Sequence, residues 1–159
     1  LPKWKHEEEN LQVGDTVPSF STIDQDENSF SSTDLTGKKS IVFFYPRANT
    51  PGCTAEACNL RDNYSVLREK GYQLYGVSAD NPKKQKNFQN KYDLSYTLLA
   101  DEDKAVIKAF GVWGPKKFMG KEYDGIHRTT FLIDEYGVVE KVISKVKTKD
   151  HAAQILEEI

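Results

Sequence analysis

Two cysteines, Cys53 and Cys58, fall within Pro46-Arg47-Ala48-Asn49-Thr50-Pro51-Gly52-Cys53-Thr54-Ala55-Glu56-Ala57-Cys58, and the chain of 159 residues has no others. Thr50-Pro51 has the form of a helix N-cap followed by proline at the first helical position. On that count Cys53 is the third residue of a helix, inside the turn whose backbone N–H groups have no helical acceptor. Those donors and the positive end of the helix dipole favour a thiolate over a thiol. The Thr50 hydroxyl is near enough to reach the same sulfur. Cys53 therefore reads as an activated nucleophile. In a regular helix a residue five positions on rises about 7.5 Å and turns about 140°, which sets the two Cα atoms roughly 8.6 Å apart. An unstrained disulfide needs less than about 7 Å, so a Cys53–Cys58 bridge requires the first turns of the helix to unwind. The competing reading is a pair of small core residues, since free cysteine is often simply buried. The C-x-x-C spacing of a dithiol reductase is not present.

The elements around this segment follow from its neighbours. Ile41-Val42-Phe43-Phe44-Tyr45 is a continuous apolar run that predicts a strand buried on both faces, ended by Pro46. Ala57, Leu60, Tyr64 and Leu67 recur at helical spacing and predict one long helix closed by Gly71. Cys53 then sits where a buried strand gives way to a helix, the usual position of an active site in an open α/β sheet. Further on, Leu74–Ser78 and Thr97–Ala100 read as strands. Pro82 opens a helix with Phe88 and Tyr92 on one face, and Ala105–Phe110 forms another, stopped by Gly111. Gly111–Gly125 reads as a glycine-rich loop. A closing hairpin, Thr129–Ile133 and Val138–Ile143 about the turn Asp134-Glu135-Tyr136-Gly137, leads to a last helix from Asp150 that buries Ala152, Ile155, Leu156 and Ile159. At the other end Phe20 and Phe30 flank the turn-rich 24–29 and suggest a small hairpin. Residues 1–12 read as a disordered or expression-derived lead and 13–159 as one domain of α/β class, a central sheet covered on both faces.

Composition narrows the function classes. With 22 Lys+Arg against 24 Asp+Glu the net charge is −2, which gives no pull toward nucleic acid or an anionic membrane. No apolar run approaches the length of a membrane span. His6, His127 and His151 are scattered, so no structural zinc site is expected. The first ten residues are largely polar and charged, without the apolar core of a signal peptide, and the cytoplasm is the expected location.

Pro46-x-x-x-Thr50-x-x-Cys53 matches the P-x-x-x-T-x-x-C signature of the peroxiredoxins. The longer run from Tyr45 through Cys58 to Arg61-Asp62 resembles the peroxiredoxin Q/bacterioferritin comigratory protein branch. So do Leu99-Ala100-Asp101-Glu102, Gly111-Val112-Trp113-Gly114, the stretch from Met119 to Arg128, and Phe131–Asp134. The resemblance covers residues 13–159. It implies a thioredoxin-like fold with an N-terminal hairpin and a central mixed sheet, and the reduction of hydroperoxides to water or alcohol. It makes Cys53 the peroxidatic cysteine, which passes through a sulfenic acid. Cys58 becomes the resolving cysteine of an intramolecular disulfide, reduced again by thioredoxin or a similar dithiol protein. By the same resemblance Thr50 is the hydroxyl that bonds thiolate and peroxide, Arg128 the guanidinium that stabilises both, and Pro46 the shield against bulk water. An arginine suits that role because it never loses its proton. No metal, flavin or haem is called for, since the redox equivalents reside in sulfur. A monomer is expected, as is common in this branch.

Other signals carry less. Strand alternation turns His127 away from the face of Arg128. Asn63-Tyr64-Ser65 fits a glycosylation sequon but lies in the helix, and Lys83–Lys86 reads as a solvated helix face. Trp113, Phe118 and Met119 either frame the peroxide entrance or pack the loop down. Glu56 suits the helix dipole but opposes a nearby thiolate. Two alternatives stand beside the peroxidase, a thioredoxin-like binding or chaperone module and a general thiol–disulfide oxidoreductase. Neither needs the Thr50–Arg128 pair around one sulfur.

Overall fold

The computed structural model describes residues 10–159, so residues 1–9 of the expected lead lie outside the described residues. Leu11 N–H donates to Phe110 O at 3.0 Å, which straps residues 10–12 onto the domain. Five strands form the central sheet in the order β5-β4-β3-β8-β9. They are β3 (Lys39–Phe44), β4 (Tyr72–Ser78), β5 (Thr97–Ala100), β8 (Thr129–Ile133) and β9 (Val139–Ile143). β3, β4 and β5 run parallel, while β8 is antiparallel to β3 and β9 to β8.

The period-two alternation of β3 divides the core in two. Ile41, Phe43 and Tyr45 pack against Ala57, Leu60, Phe88 and Ile155 on one side. Val42 and Phe44 face Leu35, Phe110 and Phe131 on the other. The helices are α1 (Pro51–Asp62), which carries Ala57 and Leu60, α2 (Tyr64–Glu69), α3 (Pro82–Tyr92) with Phe88, α4 (Ala105–Phe110) with Phe110, and α5 (His151–Glu158) with Ile155, while Leu35 closes a 3-10 turn and Phe131 lies on β8. The expected N-terminal hairpin is present as β1 (Ser21–Ile23) and β2 (Ser29–Ser31), with Phe20 stacked on Phe30 at 6.4 Å.

Three sequence expectations need correction. The helix expected to run unbroken to Gly71 stops at Asp62 and restarts at Tyr64, with Asn63 between them at φ −112°, ψ 8°. The Asn63 amide donates to Asn59 O at 2.8 Å while its backbone N–H reaches back only three residues, to Leu60 O. A side chain that takes a carbonyl from the ladder competes with the helix it sits in. Residues 111–125 are not a loop. They contain β6 (Trp113–Phe118) and all but the last residue of its antiparallel partner β7 (Lys121–Ile126). Met119 (φ 52°) and Gly120 (φ 81°) form the two-residue turn, both in the left-handed region that hairpin turns of the primed type require. Finally, Ile159 is 45 % exposed and does not join Ala152 and Ile155 in the core.

Candidate active site

β3 delivers the chain to the site. Tyr45 N–H donates to Val77 O at 3.0 Å, one step beyond the strand, and Pro46 has no N–H to continue the ladder. The loop that follows is held to the end of β4: Asp80 Oδ2 accepts from Ala48 N at 2.7 Å and from the Ser78 hydroxyl at 2.6 Å. Thr50 is the N-cap of α1 in extended backbone conformation, and Pro51 opens the helix. Thr54 N–H to Thr50 O, 2.8 Å, is the first helical bond. Cys53 is therefore the third helical residue, as the spacing predicts, and only 1 % exposed.

Arg128 crosses to this helix from the junction of β7 and β8. Its Nη2 donates to Cys53 Sγ at 3.4 Å and its Nη1 to Glu56 Oε1 at 2.6 Å. Gly52 lies beside this approach, where a Cβ would stand 3.4 Å from Nη2. Burial alone would weaken the guanidinium's hold on its proton, but the charges of Glu56 and Cys53 outweigh it and push the Arg128 pKa up. Glu56 is fully buried, and desolvation raises its carboxyl to about 7 against the opposing charge and hydrogen bond of Arg128. One cation thus faces two sulfur- and oxygen-borne acceptors.

Cys58 is half-buried, with Arg61 Nη1 3.6 Å from its sulfur. Both thiols are free, and α1 is intact between them. The intervening turn is well anchored: Ala57 is buried, and its carbonyl accepts from the Tyr96 hydroxyl at 2.8 Å. The Thr50 hydroxyl does not point to the sulfur as expected, because it donates to Arg47 O at 2.9 Å. Pro46 is exposed on the rim of a cleft of about 970 Å³, whose walls include Thr50, Gly52, Trp113, Phe118 and Tyr123. Trp113 and Phe118 line that cleft, Trp113 also packing against the second core cluster, while Met119 is 85 % exposed at the turn.

His127 Nε2 lies 2.9 Å from Pro115 O on β6. Lys116, which the sequence did not single out, lines the cleft and donates to Ile126 O at 2.8 Å. Burial and then the Arg128 charge lower its pKa, and Cys53 opposes them. His151 also went unremarked as a site residue. It is fully buried on α5 with Nε2 3.6 Å from Glu56 Oε2, a placement that no sequence spacing signals. Among the described residues no three His, Cys, Asp or Glu side chains gather as metal ligands.

Residues 13–142 match the AhpC/TSA family. Peroxiredoxin Bcp of Escherichia coli K12 is 49 % identical over 146 residues, covering 92 % of this chain and 94 % of the relative. The chain belongs to the AhpC/TSA family and is a peroxiredoxin. A putative peroxiredoxin bcp of Haemophilus influenzae is also 49 % identical, over 147 residues, 92 % of this chain and 95 % of that one. Among solved structures, peroxidoxin BcpB of Mycobacterium tuberculosis superposes with a TM-score of 0.81 at 35 % identity, over 93 % of this chain and 96 % of that one. A cysteine-to-serine variant of Xylella fastidiosa PrxQ gives 0.86 at 26 % identity, over 93 % and 94 %. The fold of this peroxiredoxin is thioredoxin-like, a central mixed sheet flanked by helices. The protein is an enzyme, a thiol-dependent peroxidase acting on hydroperoxides. The readings as a binding module and as a general dithiol exchanger are set aside.

Proposed function

We propose that Cys53 is the peroxidatic cysteine and Cys58 the resolving one. The observation that carries the proposal is the buried Cys53 sulfur, third in its helix and 3.4 Å from the Arg128 guanidinium. The Cys53 thiolate attacks the nearer oxygen of the hydroperoxide. An S–O bond forms, the O–O bond breaks, and the leaving oxygen takes up a proton as water or alcohol. Arg128 offsets the charge on sulfur and then on the departing oxygen, a fixed donor that needs no reorganisation. Thr50, once its hydroxyl turns from Arg47 O, donates to the peroxide, and Pro46 limits water at the cleft rim.

The Cys53 sulfenic acid is then attacked by the Cys58 sulfur, with loss of water and formation of a disulfide. Because the helical spacing of about 8.6 Å exceeds the reach of an unstrained bridge, α1 unwinds between the two cysteines during this step. Glu56 and Ala57 leave the core with it. Thioredoxin, or a similar dithiol protein, returns both thiols. The reading includes a cytoplasmic monomer that engages neither nucleic acid nor membrane, in keeping with a net charge of −2.

Two variants test the assignment. Cys53→Ser abolishes turnover. Cys58→Ser consumes a single equivalent of peroxide, accumulates a sulfenic acid that a 1,3-diketone traps, and fails to recycle with thioredoxin. Turnover by Cys53→Ser, or unimpaired recycling by Cys58→Ser, overturns it.

A further inference from the structure

Behind the site lies a polar cluster that the reaction as described does not use. Glu56 on α1, Thr130 on β8 and His151 on α5 are each fully buried. The protonation of His151 can be read from its partners. The Gln154 amide is oriented by Lys147 N–H to its Oε1 at 2.7 Å and by its own Nε2 to Lys145 O at 2.9 Å. That same Oε1 lies 2.8 Å from His151 Nδ1 and can only accept, so Nδ1 carries a hydrogen. In the neutral ring Nε2 is then the acceptor, filled by the Thr130 hydroxyl at 2.7 Å. Glu56 Oε2, 3.6 Å from the same nitrogen, is left with no hydrogen-bond partner.

A buried carboxylate oxygen without a donor is costly. One proton removes the conflict, either on Oε2 or on Nε2, where the N–H would point between Glu56 and the Thr130 oxygen. We infer that Glu56 and His151 hold one shared proton behind the active site, and that His151 is thereby a positioning residue that sets how much of the Arg128 charge the buried carboxylate offsets and how much acts on the Cys53 sulfur. With the proton present the carboxyl is neutral, and the Arg128 charge acts on Cys53. Without it, the Glu56 anion on Nη1 offsets part of the charge that Nη2 presents to Cys53.

The groups facing the cluster are few. Glu56 meets Arg128 from the β7–β8 junction, His151 from α5 and Cys53 along its own helix, with the Tyr96 phenol feeling its charge from before β5. His151 meets Glu56, Thr130, Gln154 and the Arg128 charge. Burial lifts Glu56 to about 7 and lowers His151, so the proton resides mainly on the carboxyl and leaves the pair near neutral pH.

The inference rests on Cys53 as the attacking group, but its first readout does not involve peroxide, so the two can fail separately. Infrared titration of the reduced wild-type protein should show a buried protonated-carboxyl band at pH 6 that disappears with a midpoint near 7. The band should be absent from Glu56→Gln and its midpoint displaced in His151→Gln. In stopped-flow oxidation by hydrogen peroxide the wild-type rate constant, corrected for Cys53 ionisation, should fall across that midpoint by roughly five- to tenfold, the low end of ordinary site-to-site couplings. Glu56→Gln should lack that fall. Absence of the carboxyl band from the wild type at pH 6, a midpoint unmoved in His151→Gln, or a corrected rate indifferent to loss of the band would each overturn the inference. Should His151→Gln not fold, the wild-type band and rate still decide.

Discussion

Replacing Arg128 by methionine separates what the guanidinium does for the reaction from what it does for the fold. The substitution keeps an apolar stem but removes both donors, Nη2 from the Cys53 sulfur at 3.4 Å and Nη1 from Glu56 at 2.6 Å. Loss of one preorganised donor to a developing negative charge costs about 10²- to 10³-fold in rate, and here the donor also carries a full charge. The rate of Cys53 oxidation should therefore drop by at least about 100-fold at pH 7. Stability should fall too. Removing one partner of a buried ion pair costs about 3–5 kcal/mol when the other stays charged. Glu56 already lies at about 7 with Arg128 present and is released upward without it, so protonation relieves the penalty below neutrality. The loss should be small at pH 5 and approach the full figure only above pH 8. Adding Glu56→Gln should restore most of the stability of Arg128→Met at pH 8 and none of the rate. Urea unfolding at the two pH values and stopped-flow peroxide oxidation measure the two effects. Recovery of the rate in the double variant would contradict this division of roles, because Arg128 would then act only by holding the fold together.

Glu56 has a signature of its own in stability. A carboxyl raised from 4.5 to about 7 on folding stabilises the fold below pH 4.5, and that contribution is lost as the pH rises through 7. At about 1.4 kcal/mol for each pH unit between the two values the loss is about 3 kcal/mol, so Glu56→Gln should flatten the pH dependence of unfolding between 4.5 and 7 by that amount. Gly52→Ala puts a methyl 3.4 Å from Arg128 Nη2, close enough to displace the guanidinium by a few tenths of an ångström. Peroxide oxidation should slow severalfold with little change in thermal midpoint, whereas an unchanged rate would mean that the Arg128–Cys53 distance does not matter.

What the sequence made legible was local. Thr50-Pro51 and the apolar run ending at Tyr45 located a strand-to-helix junction and counted Cys53 to the third helical position, because caps and prolines act within a few residues. The hairpin of β6 and β7 was hidden by Gly114, Pro115 and Gly125, residues that ordinarily punctuate loops, and by a turn whose Met119 is an unusual occupant of positive φ. The break at Asn63 depended on a side-chain bond to Asn59 that apolar periodicity does not record. The contacts that build the site are tertiary. Arg128 was singled out by resemblance alone, 75 residues from the sulfur it meets. His151 lay near the end of the chain with nothing in its neighbourhood to connect it to Glu56, and the Thr50 hydroxyl was assigned to sulfur where Arg47 O takes it first.

The pairing of Cys53 with Cys58 is tested best by an intact mass and thiol count on the reduced protein, taken seconds after one equivalent of hydrogen peroxide. Loss of both thiols with a decrease of about two mass units, the change for one disulfide, is the expected result. It would mean that Cys53 reacts and that α1 opens to let Cys58 reach it. Two thiols still free, or an increase of about 16 mass units from a sulfenic acid that persists with Cys58 reduced, would contradict that pairing.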